Sequence, residues 1–141
     1  MALFAEKKVT LIISFKGEPR VVLELTKKGF KQGSEFKDKL ISGLVKAVSS
    51  LGAEIGSQRR EVVTLDFQDV MLAGAVGGSL VICFVSRDVD KDDLKKALKE
   101  IIDKELINSL IESFGDEGFK TYLETTWYSQ VREILKNKNV L

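Results

Sequence analysis

The sequence predicts a single mixed α/β domain over residues 1–141, with a five-stranded, mainly antiparallel sheet flanked by helices in the order β-β-α-β-β-β-α-α. Two runs, Val9–Phe15 and Leu80–Val85, are apolar almost throughout, which is typical of central strands covered on both faces. Three longer stretches repeat apolar residues every three or four positions, which indicates amphipathic helices. No linker, internal repeat or low-complexity segment divides the chain.

The first half of the chain predicts a β-hairpin followed by a helix. Lys16–Pro19 has the composition of a four-residue turn, and residues 21–26 then alternate apolar with polar side chains. Ser34 can cap a helix that ends at Gly52 or Gly56. The apolar stripe of this helix is Phe36, Leu40, Ile41, Leu44, Val45, Val48, Leu51 and Ile55.

The second half begins with a predicted three-stranded meander. Glu61–Gln68 alternates apolar and polar residues, and Val70–Val76 is a short run of small apolar ones. Gly77–Gly78 forms a two-residue turn into Ser79–Ser86, because two glycines between strands favour a hairpin. These strands complete the predicted sheet.

Two helices follow the meander. Asp90 can cap the first of them, and Gly115–Gly118 breaks it. Its apolar positions are Leu94, Ala97, Leu98, Ile101, Ile102, Leu106, Leu110, Ile111 and Phe114. The last helix carries Phe119, Leu123, Trp127, Val131, Ile134 and Leu135 on one face. Trp127 therefore belongs to the core, whereas Tyr128 lies off that face and is expected to be exposed.

Composition excludes most catalytic chemistry. The chain has no histidine and one cysteine, which removes histidine acid–base catalysis, Ser–His and Cys–His nucleophile pairs, internal disulfides and Cys/His zinc sites. Cys83 lies in the second buried strand, where a thiol is inert. The pattern fixes no two carboxylates across a pocket, so the chain is not expected to be an enzyme.

Two motifs come close to ligand sites without completing them. The alternating aspartates of Asp88–Asp92 are spaced like the start of a calcium loop, but Asp93 and Lys99 replace the glycine and glutamate that such a loop needs. Helix capping explains these aspartates instead. The glycines between residues 74 and 78 lead into a strand rather than into the Lys-Ser/Thr helix start of a phosphate-binding loop. Neither a metal nor a cofactor is expected.

Basic residues are concentrated in the first third of a chain that is nearly neutral overall. The formal net charge is +1, so no global field favours nucleic acid. The basic residues near the first hairpin are Lys7, Lys8, Lys16, Arg20, Lys27, Lys28 and Lys31. A nucleic-acid surface adds exposed aromatics among its cations, and only Phe30 is placed for that. We expect a solvated surface, with contact to an anionic partner or to a membrane surface as the alternative.

The expected location of the protein is the cytoplasm. The first five residues are an apolar stub that lacks the preceding basic region of a secretory signal. The run Leu80–Val85 is far shorter than the roughly 18 apolar residues that span a bilayer. A lone cysteine fits a reducing compartment, and the charge-dense composition with few amides is typical of thermophile proteins.

The order of elements and several local stretches resemble the longin and Roadblock superfamily of profilin-like α/β modules. Those stretches are residues 40–48, 54–55, 63–69, 71–76 and 77–90, followed by Asp93–Ile101. In longin domains a hairpin, a helix, a three-stranded meander and two C-terminal helices follow one another, as they do over nearly the whole chain. The resemblance implies a non-enzymatic platform or regulator that binds small GTPases or their exchange factors, pairs with like domains and, in eukaryotes, serves assemblies of vesicle traffic.

The predicted sheet indicates where such a partner binds. With the two apolar runs at the centre, residues 21–26 and 62–68 become the edges, and an open edge can accept a partner's strand through main-chain hydrogen bonds. The third strand is the favoured homodimer or partner edge. Its expected partner-binding residues are Arg60, Val62, Thr64, Asp66 and Gln68.

A different class of function stays open, because profilin-like sheets can enclose a small molecule between sheet and helix. A sensor of this kind needs a few convergent polar groups, whereas the predicted inner faces hold Leu, Ile, Val and Phe. The interaction module is favoured for that reason. A hydrolase or transferase would need a nucleophile–base pair that the sequence lacks.

Overall fold

The computed structural model describes residues 7–55, 62–67, 70–77, 80–87 and 89–141, with the backbone alone described at residue 49 and between residues 51 and 77. Within these residues, the strands are β1 (Val9–Phe15), β2 (Glu18–Leu25), β3 (Phe30–Gln32), β4 (Val62–Phe67), β5 (Val70–Gly77) and β6 (Leu80–Ser86). They form one antiparallel sheet in the order β3-β2-β1-β6-β5-β4. The two apolar runs, β1 and β6, pair at its centre as predicted.

Helices cover both faces of this sheet. They are α1 (Asp38–Ile55), α2 (Lys91–Asp103), α3 (Leu106–Ser113), α4 (Phe119–Tyr122) and α5 (Tyr128–Asn137), with a π-helical turn, Leu123–Trp127, between the last two. On one face α1 packs against Ile12, Cys83 and Val85. On the other face α2, α3 and α5 cover Leu11, Ile82 and Phe84, which are adjacent in sequence to those three strand residues. Successive strand residues point to opposite faces, so each apolar run serves both cores.

The mixed α/β class, with an antiparallel sheet flanked by helices, is confirmed, but the five-strand count and the order β-β-α-β-β-β-α-α are not. β3 is an additional strand that pairs antiparallel with Leu23–Leu25. The prediction that residues 21–26 form an edge of the sheet is wrong for that reason. All three residues of β3 are exposed, so it carries no apolar alternation that could have predicted a strand.

The first hairpin closes through a two-residue turn rather than the predicted four-residue loop. Lys16 and Gly17 both have positive φ angles, 53° and 79°, as a type I′ turn requires. β2 therefore begins at Glu18. The register between β1 and β2 shifts after Ile13 and skips Arg20, which makes a bulge near the start of β2.

Both predicted C-terminal helices are interrupted. Glu105, with a φ angle of 59°, separates α2 from α3. Ile101 and Leu106 both lie in the core, although they are five residues apart. In a continuous helix this spacing would turn Leu106 away from the face that holds Ile101, so the interruption keeps both residues buried. The π-helical turn interrupts the second helix in the same sense, by adding a residue to one turn.

One of the two predicted helix caps is present. The carboxylate of Asp90 accepts a hydrogen bond from the main-chain N–H of Asp92 at 2.8 Å and caps α2. Ser34 does not cap α1, which begins four residues later at Asp38. Its hydroxyl instead accepts a hydrogen bond from the N–H of Phe36 at 3.1 Å, in the link that leads to the helix.

Candidate functional site

β4 forms one edge of the sheet. It pairs with β5 on its inner side, and within the described residues no strand lies on its outer side. An edge strand of this kind presents main-chain N–H and C=O groups to any further strand. Since α2 packs beside both β4 and β5, an added strand would meet a helix as well as the sheet.

The register shows which residues of β4 turn their main-chain groups outward. Phe67 pairs with Val70 across two residues, and residues so close in sequence pair only by exchanging N–H···O bonds. Bonded and non-bonded pairs alternate along an antiparallel ladder. Val63 and Leu65 therefore bond to β5, and the main chain of Thr64 faces away. The β5–β6 hairpin, which also closes through two residues, gives the same alternation.

Three of the five residues predicted to bind a partner lie in β4 with outward main-chain groups. They are Val62, Thr64 and Asp66, which occupy the alternate, non-bonded positions of the β4–β5 ladder. Arg60 and Gln68 lie outside the described residues. The main chain of β4 therefore presents its N–H and C=O groups outward at every second residue from Val62 to Asp66.

β3 forms the opposite edge and is protected. The N–H of Gly33 donates to the carbonyl of Val22 at 3.0 Å, so by alternation Lys31 bonds to β2, and only Phe30 and Gln32 face outward. Short length and lysine are two devices that keep an edge from pairing with other chains. β3 has both features, whereas β4 has six residues and no lysine.

A groove of about 600 Å³ opens where β3 ends and β2 continues uncovered. The link between α3 and α4 and the π-helical turn form its opposite wall. The apolar lining residues are Val21, Val22, Phe30, Phe114, Phe119, Leu123 and Tyr128. Charged and amide side chains complete the lining: Arg20, Gln32, Asp116, Lys120 and Glu124. This volume and this mixture of groups are typical of small-ligand sites.

The π-helical turn changes the position of Tyr128, which is only 2% exposed. The prediction of an exposed Tyr128 is wrong because the extra residue in the turn rotates the helix that follows. The ring of Tyr128 contacts Phe30, with centroids 4.9 Å apart. Burial, with a smaller contribution from the Glu124 carboxylate, raises the pKa of Tyr128 to about 12. Isolated π turns are frequent at functional sites.

The predicted core role of Trp127 is confirmed, since its side chain is fully buried. Its Nε1 donates a hydrogen bond of 3.0 Å to the main-chain carbonyl of Leu106. The bond connects the π-helical turn to the start of α3. One wall of the groove is thus tied to the break between α2 and α3.

The described residues contain no metal cluster and one buried thiol. No group of three His, Cys, Asp or Glu side chains in this part of the chain could hold a metal ion. Cys83 is fully buried, and desolvation raises the pKa of its thiol to about 12. Asp90 caps a helix, and Asp88 lies outside the described residues. In the same ranges, none of the helices is both long and apolar enough to cross a membrane.

The sequence holds a signal for the groove beyond the periodic spacing that places Phe114 and Phe119 on helix faces. Phe114 and Phe119 bracket Gly115–Gly118, which predicts only a break between helices. In the structure the two rings meet edge to face, with centroids 5.3 Å apart. Phe114 also contacts Phe15, at 4.6 Å between centroids. Phenylalanines on both sides of a glycine-containing break indicate that the link is anchored to the sheet.

Comparison with known proteins does not assign the chain to a family. No model of a known protein family matches it, and no curated protein matches its sequence. The resemblance to longin domains therefore stays a prediction. The features of the structure that bear on function are the β4 edge, the groove and the surface charges.

Proposed function

We propose that this chain is a non-enzymatic, cytoplasmic protein–protein interaction module of the longin type that forms a homodimer through β4 and serves as a platform for a small GTPase. One observation carries the dimer: β4 is a six-residue edge whose main chain faces outward at Val62, Thr64 and Asp66. The placement of α1 on one face of the sheet and the other helices on the opposite face supports the longin type.

Two copies of β4 can pair antiparallel about a twofold axis at Thr64. Val62 then lies opposite the partner's Asp66, and an isologous contact of this kind is the commonest arrangement of identical subunits. The ladder adds about six main-chain hydrogen bonds, each contributing roughly 0.5–1.5 kcal/mol net. Association itself costs at least about 4 kcal/mol, so contacts made by α2 beside the new strand have to contribute as well.

Thr64→Pro tests the dimer edge. The substitution removes an outward N–H but no bond to β5, and proline is tolerated on the solvent side of an edge strand. Each dimer loses two central hydrogen bonds, so we expect the dissociation constant to rise by roughly 30-fold or more. Sedimentation velocity over a concentration series measures this, with a wild-type mass twice that of one chain. An unchanged mass in the proline variant would contradict the assignment.

Three control variants separate the edge from the stability of the fold. Gln32→Pro puts proline at an outward position on the opposite edge, β3, and should leave the dimer intact. Thr64→Val keeps the N–H and should also dimerise. Leu65→Pro removes an N–H that bonds to β5 and should unfold the chain. Circular dichroism must show that the Thr64→Pro protein keeps the wild-type spectrum.

The platform role is supported by the resemblance to longin domains. Capture of the tagged chain from its native lysate, with and without a non-hydrolysable GTP analogue, tests this role. Recovery of a small GTPase only with the analogue would support it. Recovery of a stoichiometric metabolite without any protein would favour a second function.

That second function is small-molecule binding, and the groove favours it. The groove combines apolar walls with polar side chains, which the apolar inner faces of the predicted sheet do not provide. Val21→Trp would fill the groove from its floor. Native mass spectrometry should then show loss of a co-purifying ligand, whereas Ile111→Trp, on an exposed helical position, should retain it. Absence of any ligand from wild type purified under mild conditions would argue against this function.

A further inference from the structure

A basic surface lies at the β3 end of the sheet, opposite β4. We define it by the cations of the turn between β2 and β3, of α5 and its end, and of the residue two positions before β1: Lys7, Lys27, Lys28, Arg132, Lys136 and Lys138. We propose that this basic surface binds anionic phospholipid bilayers. The lipid headgroups would supply most of the negative charge that offsets these cations.

Contacts to main-chain carbonyls bring the three segments of the basic surface together. Arg132 Nη1 donates to the carbonyl oxygen of Lys27 at 3.4 Å, although the two residues are 105 positions apart. Lys7 Nζ donates to the carbonyl oxygen of Asn139 at 3.2 Å. Arg132 and Lys136 are four residues apart and share one stripe of α5. Tertiary structure therefore adds the helix cations to those of the hairpin.

Carboxylates neutralise little of this charge. In the described part of the chain, the one ion pair on the basic surface joins Lys136 to Glu133 at 3.3 Å. Glu24 and Glu35, on the adjoining strand and link, pair with Lys8 instead. The two lysines of the β2–β3 turn, Lys27 and Lys28, are exposed to solvent. Like charges gathered in this way repel one another until an anionic partner offsets them.

The basic surface suits a bilayer better than a nucleic acid. Nucleic-acid surfaces add several exposed aromatic rings on which bases stack. Phe30 is the one large aromatic side chain that is exposed among the described residues, at 37%, and it already packs on Tyr128. The cations lie on a turn and along the end of a helix rather than in a groove. Clusters of roughly four to eight Lys or Arg residues bind anionic lipids through electrostatic attraction alone.

Co-sedimentation with vesicles tests the proposal. Wild-type protein should bind vesicles of phosphatidylcholine that contain added phosphatidylserine, and should not bind phosphatidylcholine alone. Binding should weaken as salt is raised, because the charges are exposed. The double variant Lys27→Gln/Lys28→Gln should bind about 30-fold more weakly, at about fivefold per lysine. Failure of wild type to bind the phosphatidylserine vesicles would overturn the proposal.

A matched double variant and a second ligand complete the test. Lys95→Gln/Lys96→Gln removes two exposed lysines from α2, which packs over the β4 side of the sheet, and should bind like wild type. An equal loss of vesicle binding in both double variants would show that binding depends only on the net charge of the protein. That result would overturn the assignment to this surface. Tighter binding of the wild type to single-stranded or duplex DNA than to the vesicles, with the same dependence on Lys27 and Lys28, would also overturn it.

Discussion

Trp127→Phe tests how the π-helical turn is held in place. Trp127 is fully buried, and its Nε1 hydrogen bond to the Leu106 carbonyl, 3.0 Å long, ties one wall of the groove to the start of α3. Phenylalanine keeps an aromatic ring in the core but has no N–H to donate. The variant therefore leaves a buried carbonyl without this partner and a small cavity beside it.

Two terms determine the expected loss of stability. The carbonyl keeps its hydrogen bond within α3, so the loss of the indole bond costs about 0.5–1.5 kcal/mol. The difference in ring volume is about 40 Å³, which at about 24 cal/mol per Å³ adds about 1 kcal/mol. The free energy of unfolding should fall by about 1.5–2.5 kcal/mol in total. For a chain of 141 residues, this corresponds to a decrease in Tm of roughly 5–9 °C.

Urea unfolding followed by far-ultraviolet circular dichroism measures this loss, because the variant lacks the single tryptophan that fluorescence would require. Tyr122→Phe is the control, since it removes a hydroxyl from a partly buried ring in the same helical run. We expect its free energy of unfolding to change by less than about 0.5 kcal/mol. A Trp127→Phe protein as stable as this control would refute the role given to the hydrogen bond.

Two further predictions concern groups that burial keeps neutral. Burial holds the pKa of Tyr128 at about 12 against a usual 10.0, so its contribution to stability is complete below pH 10 and is lost as pH rises towards 12. Over that interval the wild type should lose free energy of unfolding faster than Tyr128→Phe, and equal slopes in urea titrations would contradict this. Burial likewise raises the pKa of the Cys83 thiol to about 12, so a thiol reagent should label it only after unfolding in urea. Rapid labelling of the native protein would show that the reagent reaches Cys83 in β6 without unfolding, which would contradict this prediction.

The elements that the sequence predicts well are those whose pattern comes from burial alone. β1 and β6 are apolar at almost every position because both of their faces are covered, and α1 keeps a three-to-four spacing because one face is. β3, the break at Glu105 and the π-helical turn depend on partners that lie elsewhere in the chain. The π-helical turn, for example, is tied to Leu106 through Trp127, and no local periodicity encodes that contact.

The candidate sites also have some features that the sequence predicts and others that depend on tertiary contacts. The edge position of β4 follows from placing the two apolar runs at the centre of the sheet, which the sequence supports. The outward direction of Thr64 also requires the pairing of Phe67 with Val70, which only the structure supplies. The groove and the basic surface require tertiary contacts, such as that of Arg132 with Lys27. Sequence reasoning could therefore predict the location of one site and the charge of another, but not their geometry.

The two proposed surfaces lie at opposite edges of the sheet, so their effects should be separable. β4 ends the sheet on one side, and β3 with the basic surface ends it on the other. Lys27→Gln/Lys28→Gln should therefore keep the mass of a dimer while losing vesicle binding. Thr64→Pro should give a monomer that still requires phosphatidylserine, even though it loses the avidity of a second basic surface. If the folded monomer showed no preference for phosphatidylserine vesicles over phosphatidylcholine vesicles, the basic surface would depend on the dimer. The separation of the two sites would then be wrong.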